Sequence, residues 1–136
     1  MRCFGDLCFD SRLVEAAGPL SKDDLANLGR RAFVVAVRAE AVEDWRYLLQ
    51  AMLFAYKYRG PARDPRISAL MYLTTSDSIR EAERASPIGL TRFVLGALGP
   101  RGDVEAELGG VGEPYYPLAE DYDPWKIIKF ALSRLT

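Results

Sequence analysis

Ten residues, Lys57-Tyr58-Arg59-Gly60-Pro61-Ala62-Arg63-Asp64-Pro65-Arg66, carry the densest positive charge in the chain. Lys57, Arg59, Arg63 and Arg66 stand against a single acid, Asp64. Tyr56, Tyr58 and Tyr72 lie within about two helical turns of this stretch. Cations interleaved with aromatic rings suit single-stranded nucleic acid, because phosphates are held electrostatically while bases stack on the rings. Arginine outnumbers lysine 14 to 4, so most cations are planar forks matched to phosphate or carboxylate. The same residues admit a second reading, in which the cations cap helix C-termini and the tyrosines belong to the core.

Elsewhere the chain offers little chemistry. It has no histidine, which removes the commonest general base and the Ser-His and Cys-His nucleophile pairs. Cys3 and Cys8 lie five apart. On one strand from Arg2 to Phe9 that odd separation puts them on opposite faces, so packed free thiols are expected rather than a local disulfide. Two cysteines without histidine predict no metal site. The glycines of Leu95-Gly96-Ala97-Leu98-Gly99-Pro100-Arg101-Gly102 fit neither a phosphate-binding loop nor a dinucleotide fingerprint, and read as a turn. Seven acids without a base lie between Asp103 and Asp123, at spacings that match no calcium loop. An enzyme working through Glu105, Glu107 and Asp121 ranks last. The expectation is a non-enzyme without cofactor, metal or small-molecule substrate.

The elements that must position the basic stretch are given by periodicity and punctuation. Arg2 to Phe9 reads as a strand, with Gly5 as a bulge position. Ser21 and Asp24 form a capping box for a helix from Asp23 to Arg30. Ala32 to Val37 is β-branched and short enough for a buried strand. From Val42 to Tyr58 the stripe Trp45, Leu48, Leu49, Met52, Leu53 and Tyr56 predicts an amphipathic helix. Gly60-Pro61 breaks it. Asp64 as N-cap and Pro65 at the first helical position start the next helix, with Ile67, Leu70, Met71 and Leu73 directed inward. A third helix opens at the S-x-x-E box of Ser78 and Glu81. Arg92 to Leu98 is a second buried strand. Gly102 to Leu118 reads as loop, with a short strand through Val104 to Leu108. Asp123-Pro124 then repeats the cap signal for a last helix reaching Leu135.

A chain of 136 residues, 49% hydrophobic and 27% charged, is expected to be one domain over residues 1–136. The predicted class is α+β, a small and mainly antiparallel sheet packed against a layer of helices. Net charge is −1, so the overall balance favours no polyanion; only the local distribution does. No apolar run is long enough to span a bilayer, and no signal-peptide pattern comes after Met1-Arg2, so a cytoplasmic protein away from membranes is expected. In the last helix Trp125, Ile127, Ile128, Phe130, Ala131, Leu132 and Leu135 occupy more than half the circumference. Either that helix is sandwiched within its own domain, or one flank of Trp125, Ile127, Ile128, Phe130 and Leu132 docks on another chain.

The order of these elements, with several residues, resembles the small CGI-type subunit of the KEOPS complex, the TPRKB family that binds the KEOPS kinase. The matching residues are Phe33 to Arg38, Ala51 and Ala55, Lys57 to Arg59, Ile67 to Leu73, Ile79-Arg80-Glu81-Ala82 and Gly89. The match runs from about Phe33 to Leu98, and the last helix agrees in position. Ser68 stands where the family's apolar helix usually carries a glutamate, and Thr75-Ser76-Asp77-Ser78 replaces a loop commonly rich in Arg and Gln. The resemblance implies a non-catalytic subunit of the machine that installs threonylcarbamoyl on an adenosine of tRNA. Such a subunit docks on the small kinase-like ATPase subunit and grips the single-stranded 3′ CCA end of tRNA. On that reading Lys57, Arg59, Arg63 and Arg66 contact phosphates, and Tyr58 or Tyr72 stacks a base. A purely protein-binding adaptor is the alternative.

Overall fold

The computed structural model describes residues 1–58 and 61–134. The chain divides into two compact units, each built from two separated stretches: residues 1–39 with 87–115, and residues 40–86 with 116–136. The first holds the sheet and the second the helices that carry the basic stretch. The α+β expectation is borne out, and the sheet is antiparallel throughout.

In the first unit β1 (Arg2–Phe4) and β2 (Leu7–Glu15) form a hairpin. Then come α1 (Lys22–Ala26), β3 (Phe33–Val37), β4 (Arg92–Gly99), α5 (Arg101–Leu108) and β5 (Glu113–Pro114), the helices between β3 and β4 in chain order lying in the second unit. The strand order is β1-β2-β4-β3, and β5 also pairs with β2. β4 is buried along its length after Arg92, as a central strand with both faces covered should be. One face gathers Val34 and Ala36 of β3, Phe93, Leu95 and Ala97 of β4, and Cys8 of β2. Val104 and Leu108 of α5 close over them, with Leu25 of α1 packed at the margin. Gly112 is required for geometry: its φ is +57°, and a β-carbon there would collide with the Leu13 carbonyl oxygen.

Three expectations in this unit need correction. Arg2 to Phe9 is not one strand. Gly5, at φ +65°, turns the chain so that Cys3 and Cys8 become cross-strand partners, and they form a disulfide with Cα atoms 4.0 Å apart. The parity argument for free thiols fails because it assumed an unbroken strand. Val104 to Leu108 is helical: Val-Glu-Ala-Glu-Leu alternates like a strand, yet its Glu, Ala and Leu favour helix and Val104 and Leu108 share one face. The first helix stops at Ala26 rather than Arg30, although its Ser21–Asp24 capping box forms as expected.

The second unit contains α2 (Trp45–Tyr58), α3 (Pro65–Thr74), α4 (Ile79–Ala82) and α6 (Trp125–Arg134). α2 begins at Trp45 and not Val42, because Asp44 accepts the Arg46 backbone N–H at 2.9 Å, as a helix cap does. Its buried face is Tyr47, Leu48, Leu49, Ala51, Met52 and Ala55, so the inward stripe is rotated away from Tyr56. The caps at Asp64 and Ser78 form as read. An aromatic chain ties three helices together: Phe54 on Tyr72 at 5.5 Å, and Tyr72 edge-on to Phe130 at 5.9 Å.

A strap, residues 116–124, leads into α6 and lies along α2. Trp45 N donates to Pro117 O (2.9 Å), Asp123 N to the Tyr47 hydroxyl (2.8 Å) and Gln50 Nε2 to Pro124 O (3.1 Å). The fully buried Asp44 carboxylate is the centre of this seam. It accepts from Arg46 Nε (2.9 Å) and Nη2 (2.7 Å) and from Ala119 N (2.9 Å). The Arg46 guanidinium in turn lies 3.8 Å from the Tyr122 ring centroid.

The Arg46 hydrogen bond above all, helped by the Ala119 N–H, lowers the Asp44 pKa from 3.8 to about 2 against the effect of burial. Because the folded value is depressed, the stabilisation is complete above the unfolded value and is lost as pH falls from about 4 through about 2. Discounted for the solvent-facing side of Arg46, it amounts to on the order of 1–2 kcal/mol. Asp44→Asn should therefore lower the melting temperature by several degrees at pH 7, and the difference from wild type should shrink towards pH 2.5. An unchanged difference across that range in thermal unfolding followed by circular dichroism would remove the ionised Asp44 from the account.

Candidate nucleic-acid interface

The basic stretch joins α2 to α3, and the structure describes it on both sides of Arg59 and Gly60, which lie outside the described residues. Lys57, Tyr58 and Arg63 are exposed, Tyr58 at 61%. Tyr56 is exposed beside them. Arg66 is half-buried, its Nε 4.0 Å from Asp64 Oδ1. The expected site residues therefore separate. Lys57, Tyr58 and Arg63 present themselves to solvent, with Arg66 at the margin.

Tyr72 does not belong with them. It is 4% exposed, held between Phe54 and Phe130, and burial pushes its phenol pKa up against the pull of Arg134. A ring enclosed by side chains has no free face for a base. The reading of Tyr72 as a stacking platform is corrected: its spacing from the basic stretch was right, but the inward face of α3 runs through it.

Position also distinguishes the cations. Lys57 sits in the last turn of α2, where a cation complements the negative helix end. Arg63 precedes α3 and Arg66 lies in its first turn, at the positive end, where a cation gains nothing from the dipole. Helix capping therefore accounts for Lys57 and leaves Arg63 and Arg66 without that role.

Ser68 fixes the second half of the turn. Fully buried in the first turns of α3, its hydroxyl donates to Ala62 O and accepts from Ala62 N, both at 3.0 Å. With Asp64 Oδ1 accepting from Arg66 N at 2.9 Å, this clasp holds residues 62–66 against the helix. Sequence reading missed it, since a serine inside an apolar run gives no sign of a backbone partner six residues earlier.

The residues expected to meet a protein partner divide in the same way. Ile127 of α6 is fully buried, and Phe130 packs on Tyr72 with the Arg134 guanidinium 5.6 Å from its ring centroid. These two build the interior and are withdrawn as partner contacts, because a helix buries one face and they lie on it. Trp125 (59% exposed), Ile128 (half-buried) and Leu132 (56% exposed) share the opposite face at i, i+3 and i+7 spacing. Of the two readings of this helix, the outward apolar stripe favours a docking flank.

Several acids have structural partners. Asp103 lies 3.4 Å from Arg31 Nη2, Glu107 accepts from Arg31 N at 2.6 Å, and Glu105 lies 3.3 Å from Arg101 Nε. Among the described residues no group of three or more His, Cys, Asp or Glu side chains is arranged to hold a metal ion. Nor is any helix there long and apolar enough to cross a membrane.

Removing the Ser68 hydroxyl leaves both polar groups of the Ala62 backbone without this partner. Ser68→Ala should therefore cost about 1–3 kcal/mol, read as a lower urea midpoint at unchanged slope. A loss below about 0.5 kcal/mol would mean that the clasp does not hold the turn.

No protein-family model matches the chain, and no curated protein matches it.

Proposed function

We propose that this chain is a non-catalytic, cytoplasmic subunit of the KEOPS complex, docking on the kinase-like ATPase subunit and holding the single-stranded 3′ CCA end of tRNA. The observation that carries the reading is the turn between α2 and α3. Lys57, Tyr58 and Arg63 stand exposed together there, and the arginines occupy a helix end that does not call for cations. The order of β3, α2, basic turn, α3, the Ile79–Ala82 helix and β4 is also the order that the KEOPS resemblance implies. Neighbouring phosphates attract the cations from a distance, while Tyr58, braced on the Phe54 ring at 6.0 Å and 61% exposed, offers its solvent-facing surface to a base. No bond is made or broken by this chain; its part is to fix a flexible strand in register for a partner that does the chemistry.

The test is binding of tRNA at two salt concentrations. Lys57→Ala with Arg63→Ala should weaken binding severalfold and flatten the dependence of log affinity on log salt by roughly 1.5, at about 0.7–0.9 per lost phosphate contact. Removal of the CCA end should abolish most of the difference between wild type and variant. Unchanged affinity in the variant would end the assignment of this turn to RNA.

The outward stripe of α6 favours a second activity, docking on protein, which the adaptor alternative shares. Trp125→Ser with Leu132→Asp should abolish co-purification of the kinase-like ATPase subunit while leaving the circular dichroism spectrum and tRNA affinity intact. Retained co-purification would move the docking surface elsewhere. Loss of docking in a chain that never bound tRNA would leave the adaptor reading standing alone.

A further inference from the structure

The sheet unit carries a feature that neither RNA nor partner binding uses, the Cys3–Cys8 disulfide. Its two residues have unequal access: Cys3 is exposed on β1, whereas Cys8 is 2% exposed and belongs to the core under α5. β1 is three residues long, all of them exposed, and among the described residues it pairs with β2 alone. Besides the disulfide, three register pairs tie it to the sheet, Arg2 with Phe9, Cys3 with Cys8 and Phe4 with Leu7, and Met1 before it packs on the core with its terminal ammonium 3.5 Å from Asp10 Oδ1.

We propose that Cys3 is a thiol-exchange site, through which a small thiol such as glutathione opens the bond and releases β1 from the sheet edge. Exchange requires the attacking, central and leaving sulfurs to approach a line, so the thiolate must arrive on the side of the attacked sulfur away from its partner. Cys3 is the exposed residue of the pair, whereas Cys8 is 2% exposed among the core side chains. A thiolate therefore attacks Cys3 Sγ and forms a mixed disulfide there. The Cys3–Cys8 bond breaks, and its electron pair leaves on Cys8 Sγ, which takes a proton from water. A second thiol then attacks the outer sulfur of the mixed disulfide and displaces the Cys3 thiolate. The protein bond is reduced by two electrons, and the two small thiols are oxidised to their disulfide.

Opening the bond affects the two strands unequally. A Cys8 thiol remains a small apolar group and can keep its place in the core. β1 buries no side chain of its own, so without the covalent tie it frays, and the β2 edge at Leu7 to Phe9 loses its partner. The site stands independently of the KEOPS reading, since it concerns residues of the other unit.

Air-oxidised protein is treated with glutathione, quenched in acid and mapped by mass spectrometry. At least a tenfold excess of the glutathionyl adduct on Cys3 over Cys8 is expected. Equal labelling or an excess on Cys8 would overturn the site, as would two free thiols in the protein before treatment. Hydrogen exchange then compares oxidised and fully reduced protein. Amides of residues 2–4 should exchange at least tenfold faster after reduction, with those of Phe93 to Leu98 unchanged. No change at residues 2–4 would refute the release, and an equal rise in β4 would make the bond a staple for the whole sheet. Cys3→Ser with Cys8→Ser should exchange like reduced wild type and ignore reductant. Since the main comparison uses the native chain in two redox states, it does not depend on that variant folding.

Discussion

The Asp44 carboxylate, buried without exposed surface, is the constraint on which both candidate surfaces of the helical unit depend. An ionised carboxylate out of water must be surrounded by donors, and this one finds them in the Arg46 backbone and fork and in the Ala119 N–H. Satisfying it fixes two things together. It sets where α2 begins, and so the direction of the helix that ends at the basic turn. It also fastens the strap that delivers α6. The Arg46 fork then lies over Tyr122, so one charge pair is held in plane by an aromatic face.

From that anchor, the two surfaces are made by opposite devices. The basic turn is presented by polar clasps: Ser68 satisfies the Ala62 backbone and Asp64 the Arg66 N–H, leaving the arginines at a helix end where the dipole gives them no role. The α6 flank is presented by a division of apolar residues. Ile127 and Ala131 go inward to fill space, and Trp125 and Leu132 remain outside. A chain needs one apolar face per packed helix; the second face is surplus to folding. Charge in excess of helix capping and apolar surface in excess of core packing are the two kinds of surplus that recognition uses.

The sheet unit works by different rules. Its central strand is buried on both faces and needs no support from polar chemistry, so the interest moves to the margin. There, Gly112 lets β5 approach Leu13, and the Gly5 turn returns β1 along β2. A three-residue edge strand with no buried side chain is the least stable kind of pairing, and here it is covalently closed. Stability in this unit is graded from centre to edge, and its sulfur chemistry sits where the gradient is lowest.

By itself the sequence determined the features that depend on neighbours along the chain. The caps at Ser21, Asp64, Ser78 and Asp123, the strands around Val35 and Val94, and the placing of the basic residues between two helices all arise from residues within four or five positions of one another. Such interactions act within a single helical turn or strand, and their pattern is written in spacing. Tertiary structure decided everything that needs a partner distant in sequence or a choice between two periods. Val104 to Leu108 suited both a strand and a helix until the core beneath α5 took the 104–108 pair. Tyr72 and Tyr58 look alike in the sequence, yet the packing of α3 on α2 and α6 buried the first and left the second in water. Asp44 shows no sign in the sequence of Ala119, seventy-five residues away, because hydrogen bonds across folded chains select for geometry and not for adjacency.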